Sequence, residues 1–351
     1  MKTLALLCPA LILLLTFAQA RAADTLTVNA VGDVMFANWA TSLLDSAGIT
    51  YPLAKVKTLL LDADVRVGNL ESPISDSGVK FDKTYTFKIP VRHAGVLLDG
   101  GFDVMTLANN HILDNGEGAL LSTFHVLDSL GVKHIGAGRN IAEARQPVII
   151  EKKGIKVGFL GYSLTFPEEF WADEKRPGTA YGHAHYLQED IPKLRSQVDI
   201  LIVVFHWGVE KSLVLKDYQK EMGHLAIDLG ADAVVAHHPH VLQGIELYKG
   251  KPIAYSLGNF CFGTWTNAVW DSAILKLFFS GGKFLKAEVT PLLVNNNQVR
   301  MQPRPLTGAD ALKSLNGLKG LCDSLKTALV IEGEKGFVYG SPDSTVTAPA
   351  H

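Results

Sequence analysis

The stretch Ala233–His240, AVVAHHPH, decides how this chain is read. Its first half is a short apolar run rich in Val, the pattern of a buried strand. It then delivers three imidazoles, His237, His238 and His240, within four residues. Neutral imidazole is the commonest protein ligand for zinc-like metals. In an extended or turning segment, His238 and His240 point to the same side. Pro239 between them limits the backbone freedom that ion binding would otherwise remove. The competing reading is a polar loop in which histidines fall by chance.

Working outward, the other strand-like runs also end in residues that ligate metals. Leu26–Val34 carries Gly32-Asp33 at its end, and Asp64–Leu70 leads into Glu71. Phe102–Leu107 leads to Asn109-Asn110-His111, and Asp199–Phe205 leads to His206-Trp207-Gly208-Val209-Glu210. In open α/β sheets, ligands bind beyond the carboxyl ends of strands. Asp33, Glu71, Asn110, His206, His238 and His240 are therefore the candidate metal ligands. Each has a plain alternative taken alone. Gly-Asp and Asn-Leu-Glu also make ordinary turns, Asn109–His111 also reads as a polar helix entry, and His206 as a satisfied core histidine. Their recurrence in order, each at a strand end, argues against coincidence. Carboxylates, an amide oxygen and imidazoles together suit a divalent transition metal such as Mn, Zn or Fe, as one ion or two. Two ions about 3.5–4 Å apart would clamp an oxyanion between them.

Between these strands the periodicity predicts helices over Pro52–Leu61, Arg92–Asp99, Gly118–Leu130, Glu189–Ser196, Tyr218–Leu229 and Ala309–Leu325. Pro147–Glu151 and Lys156–Gly161 read as a hairpin. Residues 164–186 are aromatic and aperiodic, the pattern of a loop over one end of a sheet. Ala273–Leu306 is strand-like again, with a turn at Gly281-Gly282. Alternating strands and helices followed by strands suggest one α/β domain with a layered core, spanning 26–325. The small, polar residues 340–351 read as a disordered tail. With 47% hydrophobic and 19% charged residues the composition is that of an ordinary globular protein. A net charge of −2 gives no electrostatic basis for binding nucleic acid.

Residues 1–22 read as a signal peptide. Lys2 precedes an apolar run from Leu4 to Phe17, and cleavage near Ala20–Ala22 follows from the small-residue pattern there. The expected product is exported, periplasmic or secreted; a retained anchor is the alternative. Cys8 leaves with the signal, so Cys261 and Cys322 remain, either paired or as buried thiols.

VGDVMF, GNLESP, LANNHILDNGEG, GAGRN, FHWGVE, AHHPHVLQGIE and YSLGNF, in this order, resemble the CapA-type capsule-synthesis (poly-γ-glutamate) family. The resemblance covers roughly residues 26 to 262. It implies the calcineurin-like metallophosphoesterase fold: an α/β four-layer sandwich, two mixed β-sheets packed face to face and flanked by helices. That superfamily opens with Asp-x-His, whereas this chain has Asp33-Val34-Met35. Where it has Gly-Asp, with the Asp bridging two metals, this chain has Gly68-Asn69, and Glu71 is the nearest carboxylate. Asn110-His111 match its Asn-His pair as ligand and phosphate-facing His. His206 matches its isolated His, and His238-Pro239-His240 its closing His-x-His.

Two roles follow for the protein. In one it is a metal-dependent hydrolase of a phosphoester or a γ-glutamyl amide, with His111 stabilising charge or protonating the leaving group. In the other it binds an anionic polymer during export or assembly, beside other capsule synthesis and export proteins. Asp114, three residues after His111, orients it through a carboxylate–imidazole hydrogen bond or caps a helix. Asn69, Asn109, Glu210 and Asn259 are candidates for contact with substrate or support of the ligands. Lys83, Lys88, Arg92, Arg139 and Arg145 read either as contacts for an anionic substrate or as a solvated face.

Overall fold

A computed structural model describes residues 25–340. The signal peptide and the tail expected from the sequence lie outside the described residues. Two mixed sheets face each other. The larger has ten strands, with Val65–Leu70, Val104–Thr106 and Lys133–Ile135 running parallel to Leu26–Met35. On the other side of Leu26–Met35 the antiparallel strands Asp271–Ser280 and Lys283–Leu293 extend this sheet. The second sheet has six strands, four of them parallel: Ile155–Ser163, Ile200–His206, Ala233–His237 and Lys251–Ala254.

Side-chain alternation explains the layers. In Ile200–His206, Ile200, Ile202 and Val204 enter the core between the sheets, while Leu201, Val203 and Phe205 pack outward under helices. A strand buried on both faces has to be apolar throughout, which is how this run reads. Val65 and Val67 of the larger sheet enter the same central core. Leu187, Ile191 and Leu194 of helix Ala184–Arg195 cover the outer face of the second sheet. Leu120, Phe124 and Leu127 of helix Gly116–Leu130 cover the outer face of the first. The architecture is the expected α/β sandwich of two mixed sheets with helices outside.

Several local expectations need correction. Of Pro52–Leu61 only Lys57–Leu61 is helical. Tyr51 to Val56 form turns, closed by Ala54 N–H to the Tyr51 carbonyl and Val56 N–H to the Leu53 carbonyl. Turns bury Leu53 and Val56 as well as a helix would, so burial periodicity did not separate the two. The Asn109–His111 stretch is not a helix entry, because the helix starts only at Gly116. The sheet also continues past residue 325, through Val330–Glu332 and Lys335–Tyr339. Cys261 and Cys322 are free, buried thiols, and burial pushes them up to about 12 and about 11.

One close approach shapes the end of the first strand. A Cβ on Gly32 would lie 1.9 Å from the Gly258 carbonyl oxygen. That contact lets Asp33 N–H bond the Gly258 carbonyl at 2.9 Å and sets Asn259 level with Asp33. Gly32→Ala is expected to cost about 1–3 kcal/mol, as overpacking in a tight core does. Differential scanning calorimetry reads this as a melting temperature several degrees lower; an unchanged value would mean the approach is slack.

Candidate metal centre

The parallel blocks of both sheets end at the same side of the sandwich. In the larger sheet Asp33 and Asn69 are paired in register; in the second, His206 and His237 are. Alternation that sends Val65 and Val67 inward also sends Asn69 into the gap between the sheets. There its Nδ2 lies 3.3 Å from His206 Nδ1 on the opposite sheet.

After His237 the chain turns through two residues with left-handed backbone, His238 at φ 95° and His240 at φ 60°. This conformation is unfavourable for a residue with a Cβ and clusters at functional sites. It is held by Lys211 N–H to the Pro239 carbonyl at 2.7 Å and Trp207 N–H to the His237 carbonyl at 3.1 Å.

The six residues expected as metal ligands come together. One ligand atom each of Glu71, His206 and His238 lies within 4.8 Å of the others, and the same holds for Asp33, Glu71 and His240. Asn110 Oδ1 is 2.8 Å from His206 Nε2. Glu71 belongs to both groups. Its Oε1 is buried and, among the described residues, has no hydrogen-bond partner; nor has His238 Nδ1. That Oε1 lies 3.9 Å from His206 Nε2 and 3.7 Å from His240 Nε2. An orphaned buried carboxylate oxygen is costly unless something positive meets it.

The electrostatics agree. Burial, reinforced by the neighbouring Asp33 carboxylate, pushes Glu71 well above the usual carboxylate range. Burial also opposes the charge of Asp33, but His237 and His240 outweigh it and hold Asp33 well below that range. Burial and the neighbouring histidines press His206 well below the usual imidazole range and His238 to about 3. His206 and His238 are thus kept neutral, while the Asp33 carboxylate outweighs burial and holds His240 above the usual imidazole range. A cation among these groups would take over the balancing of the two carboxylates, and nitrogen with carboxylate donors suits a transition metal.

The residues around the candidate ligands fall into two sets. Asn259 Oδ1 and Asp33 Oδ2 both face His240 Nδ1, at 2.9 and 3.1 Å, so that nitrogen carries the proton and Nε2 is free. Asn109 reaches Asn69, and His111 Nδ1 lies 2.7 Å from Asp114 Oδ2. Asp114 is therefore the partner of His111, and it caps no helix: the cap of Gly116–Leu130 is Asn115. Glu210 is exposed near this side of the sandwich.

Sequence reasoning underrated Lys83. Its ammonium pairs with Asp114 Oδ1 at 2.6 Å, bonds the Asn110 carbonyl and lies 3.1 Å from His111 Nδ1. Asp114 Oδ1 pairs with the Lys83 ammonium and Oδ2 accepts from the Phe87 N–H, so Asp114 acts as an acceptor and His111 Nδ1 is placed to donate to it. Its Nε2 is then the unengaged nitrogen. Arg92, Arg139 and Arg145 are instead tied up by Asp45, Glu143, and Glu189 with Asp190.

The layering and sheet order define an α/β sandwich of two mixed sheets flanked by helices. The chain belongs to the family described as bacterial capsule synthesis protein PGA_cap, whose model matches residues 27–264. It is 29% identical over 294 residues to the capsule biosynthesis protein CapA of Bacillus anthracis, covering 82% of this chain and 71% of that protein. It is 28% identical over 315 residues to the PGA biosynthesis protein CapA of Bacillus subtilis (strain 168), covering 89% and 82%. Among solved structures, the 5'-nucleotidase precursor from Thermus thermophilus aligns with a TM-score of 0.47 at 15% identity, covering 88% of this chain and 61% of that chain. The protein is thus a CapA-type member of a capsule and poly-glutamate synthesis family. Among the described residues no helix is long and apolar enough to cross a membrane.

Proposed function

We propose that this protein is an exported, metal-dependent hydrolase of the capsule system, acting on a phosphoester or a γ-glutamyl amide of an anionic polymer. The observation that carries the reading is the buried Glu71 Oε1, without a hydrogen-bond partner among the described residues, set among His206, His238 and His240 and close to the His111–Asp114 pair. Glu71, Asn110, His206, His238 and His240 would hold the ion, with Asp33 beside them. A divalent ion held there would polarise the oxygen under attack and lower the pKa of a water.

The remaining chemistry belongs to the chain. Asp33 and Asn259 orient His240 through its Nδ1 proton, as carboxylates orient ligating histidines elsewhere. Asp114 fixes the tautomer of His111 and leaves Nε2 free to take or return a proton at the scissile group. Lys83 keeps Asp114 in place and balances its charge.

The test is metal analysis of the purified protein, followed by a hydrolysis screen on phosphomonoesters, phosphodiesters and γ-glutamyl peptides. Adding Mn(II) or Zn(II) to chelated protein is expected to raise the melting temperature. At a hundredfold excess over Kd the stabilisation is about 2.7 kcal/mol. No shift with any divalent ion would remove the metal from the reading. Bound metal without hydrolysis would leave a polymer-binding role.

A further inference from the structure

The two donor groups that share Glu71 do not offer two equal metal sites, and the reason is one amide. Asn109 has its orientation fixed by the backbone. Its Nδ2 donates to the Leu70 carbonyl at 2.9 Å, and its Oδ1 accepts the His111 N–H at 3.0 Å. Turning this amide over would set oxygen against oxygen and N–H against N–H. Its other Nδ2 hydrogen therefore meets Asn69 Oδ1, at 2.9 Å. Asn69 is left with one choice: it presents Nδ2 to the cleft. That NH2 group lies 2.8 Å from Asp33 Oδ1, 3.1 Å from Glu71 Oε2 and 3.3 Å from His206 Nδ1.

An amide NH2 is a donor only and has no lone pair for a metal. It stands between the Asp33 and Glu71 carboxylates, where it supplies the positive end of a dipole to both. Asp33 is engaged on its other oxygen too, because Oδ2 accepts from His240 Nδ1. Each Asp33 oxygen thus already accepts a hydrogen bond, whereas Glu71 Oε1 accepts none among the described residues.

We propose that the chain binds a single divalent ion, through Glu71 Oε1 and the surrounding histidines, and that Asn69, locked by Asn109, is the fixed donor that replaces a second ion. This rests on the proposed metal site and deepens it by assigning its stoichiometry to one residue. Asn69→Asp puts an oxygen where the NH2 was. Three buried carboxylates then converge, and they need a further cation to balance their charge.

The test uses full-length protein stripped of metal, dialysed to equilibrium against Mn(II) and analysed for bound metal. One ion per chain is expected for the wild type and two for Asn69→Asp. Electron paramagnetic resonance of the Mn(II)-loaded wild type should show isolated ions, and that of Asn69→Asp a spin-coupled pair. Two ions or a coupled pair in the wild type would overturn the inference, and so would a single ion in a folded Asn69→Asp. The wild-type measurements decide the matter even where the variant does not fold. A wild type that binds no ion would instead take down the metal site itself, a distinct outcome.

Discussion

Glu71→Gln is expected to abolish the response of this protein to divalent metal. Glu71 is the residue common to both donor groups, and its Oε1 is the buried carboxylate oxygen there without a hydrogen-bond partner among the described residues. Gln keeps the shape and one oxygen but removes the charge. The histidines alone then face an ion beside a neutral amide, and at submillimolar Mn(II) or Zn(II) occupancy should fall below detection. The sign of the stability change separates this from simple damage. In metal-free protein, Glu71→Gln should melt at or above the wild-type temperature, because a buried, repelled carboxyl is replaced by a neutral group. With metal added, the wild type should rise and the variant stay where it was. The two measurements are differential scanning fluorimetry and metal analysis, each with and without chelator. A variant that melts lower than the wild type without metal would mean that Glu71 holds the fold rather than the ion.

How much of this was legible beforehand depends on the range of the interaction. The strand runs were readable because burial on both faces leaves a local mark, as in Ile200–His206. The clustering of the candidate ligands was readable because strand ends carry them in sequence, and a sandwich brings strand ends together. What the sequence did not reveal involves partners distant in the chain. Lys83 sits in an aperiodic loop, and nothing local marks it as the counter-charge of Asp114. The orientation of Asn69 is set by Asn109, whose own orientation is set by the backbone of Leu70 and His111. The glycine requirement at Gly32 arises from Gly258, on a segment far along the chain. The helix expected over Pro52–Leu61 shows the converse error, where a correct burial pattern was given too regular a backbone.

His111→Ala should separate chemistry from metal binding. His111 is buried beside the candidate ligands, and its Nδ1 is committed to Asp114, so only Nε2 is free to meet a substrate. It follows Asn110 directly but is absent from both groups of candidate ligands. Removing its imidazole should therefore leave the ion in place. It should also cost little stability, because Asp114 keeps its ion pair with Lys83 and its bond from the Phe87 N–H. Turnover should nonetheless fall by roughly 10²–10⁴-fold, the usual loss when a positioned acid or base is removed. His240→Ala is the matched comparison: it removes a proposed ligand and should lose the ion and the turnover together. Metal content, melting temperature and hydrolysis, measured side by side on both variants, tell the outcomes apart. Metal lost equally in both would make His111 a ligand. Metal retained in both would make His240 dispensable to the site. Turnover retained in His111→Ala would move the proton transfer to another group. The expected pattern, with metal kept in one variant and lost in the other and turnover lost in both, follows from His111 facing the substrate and His240 facing the ion.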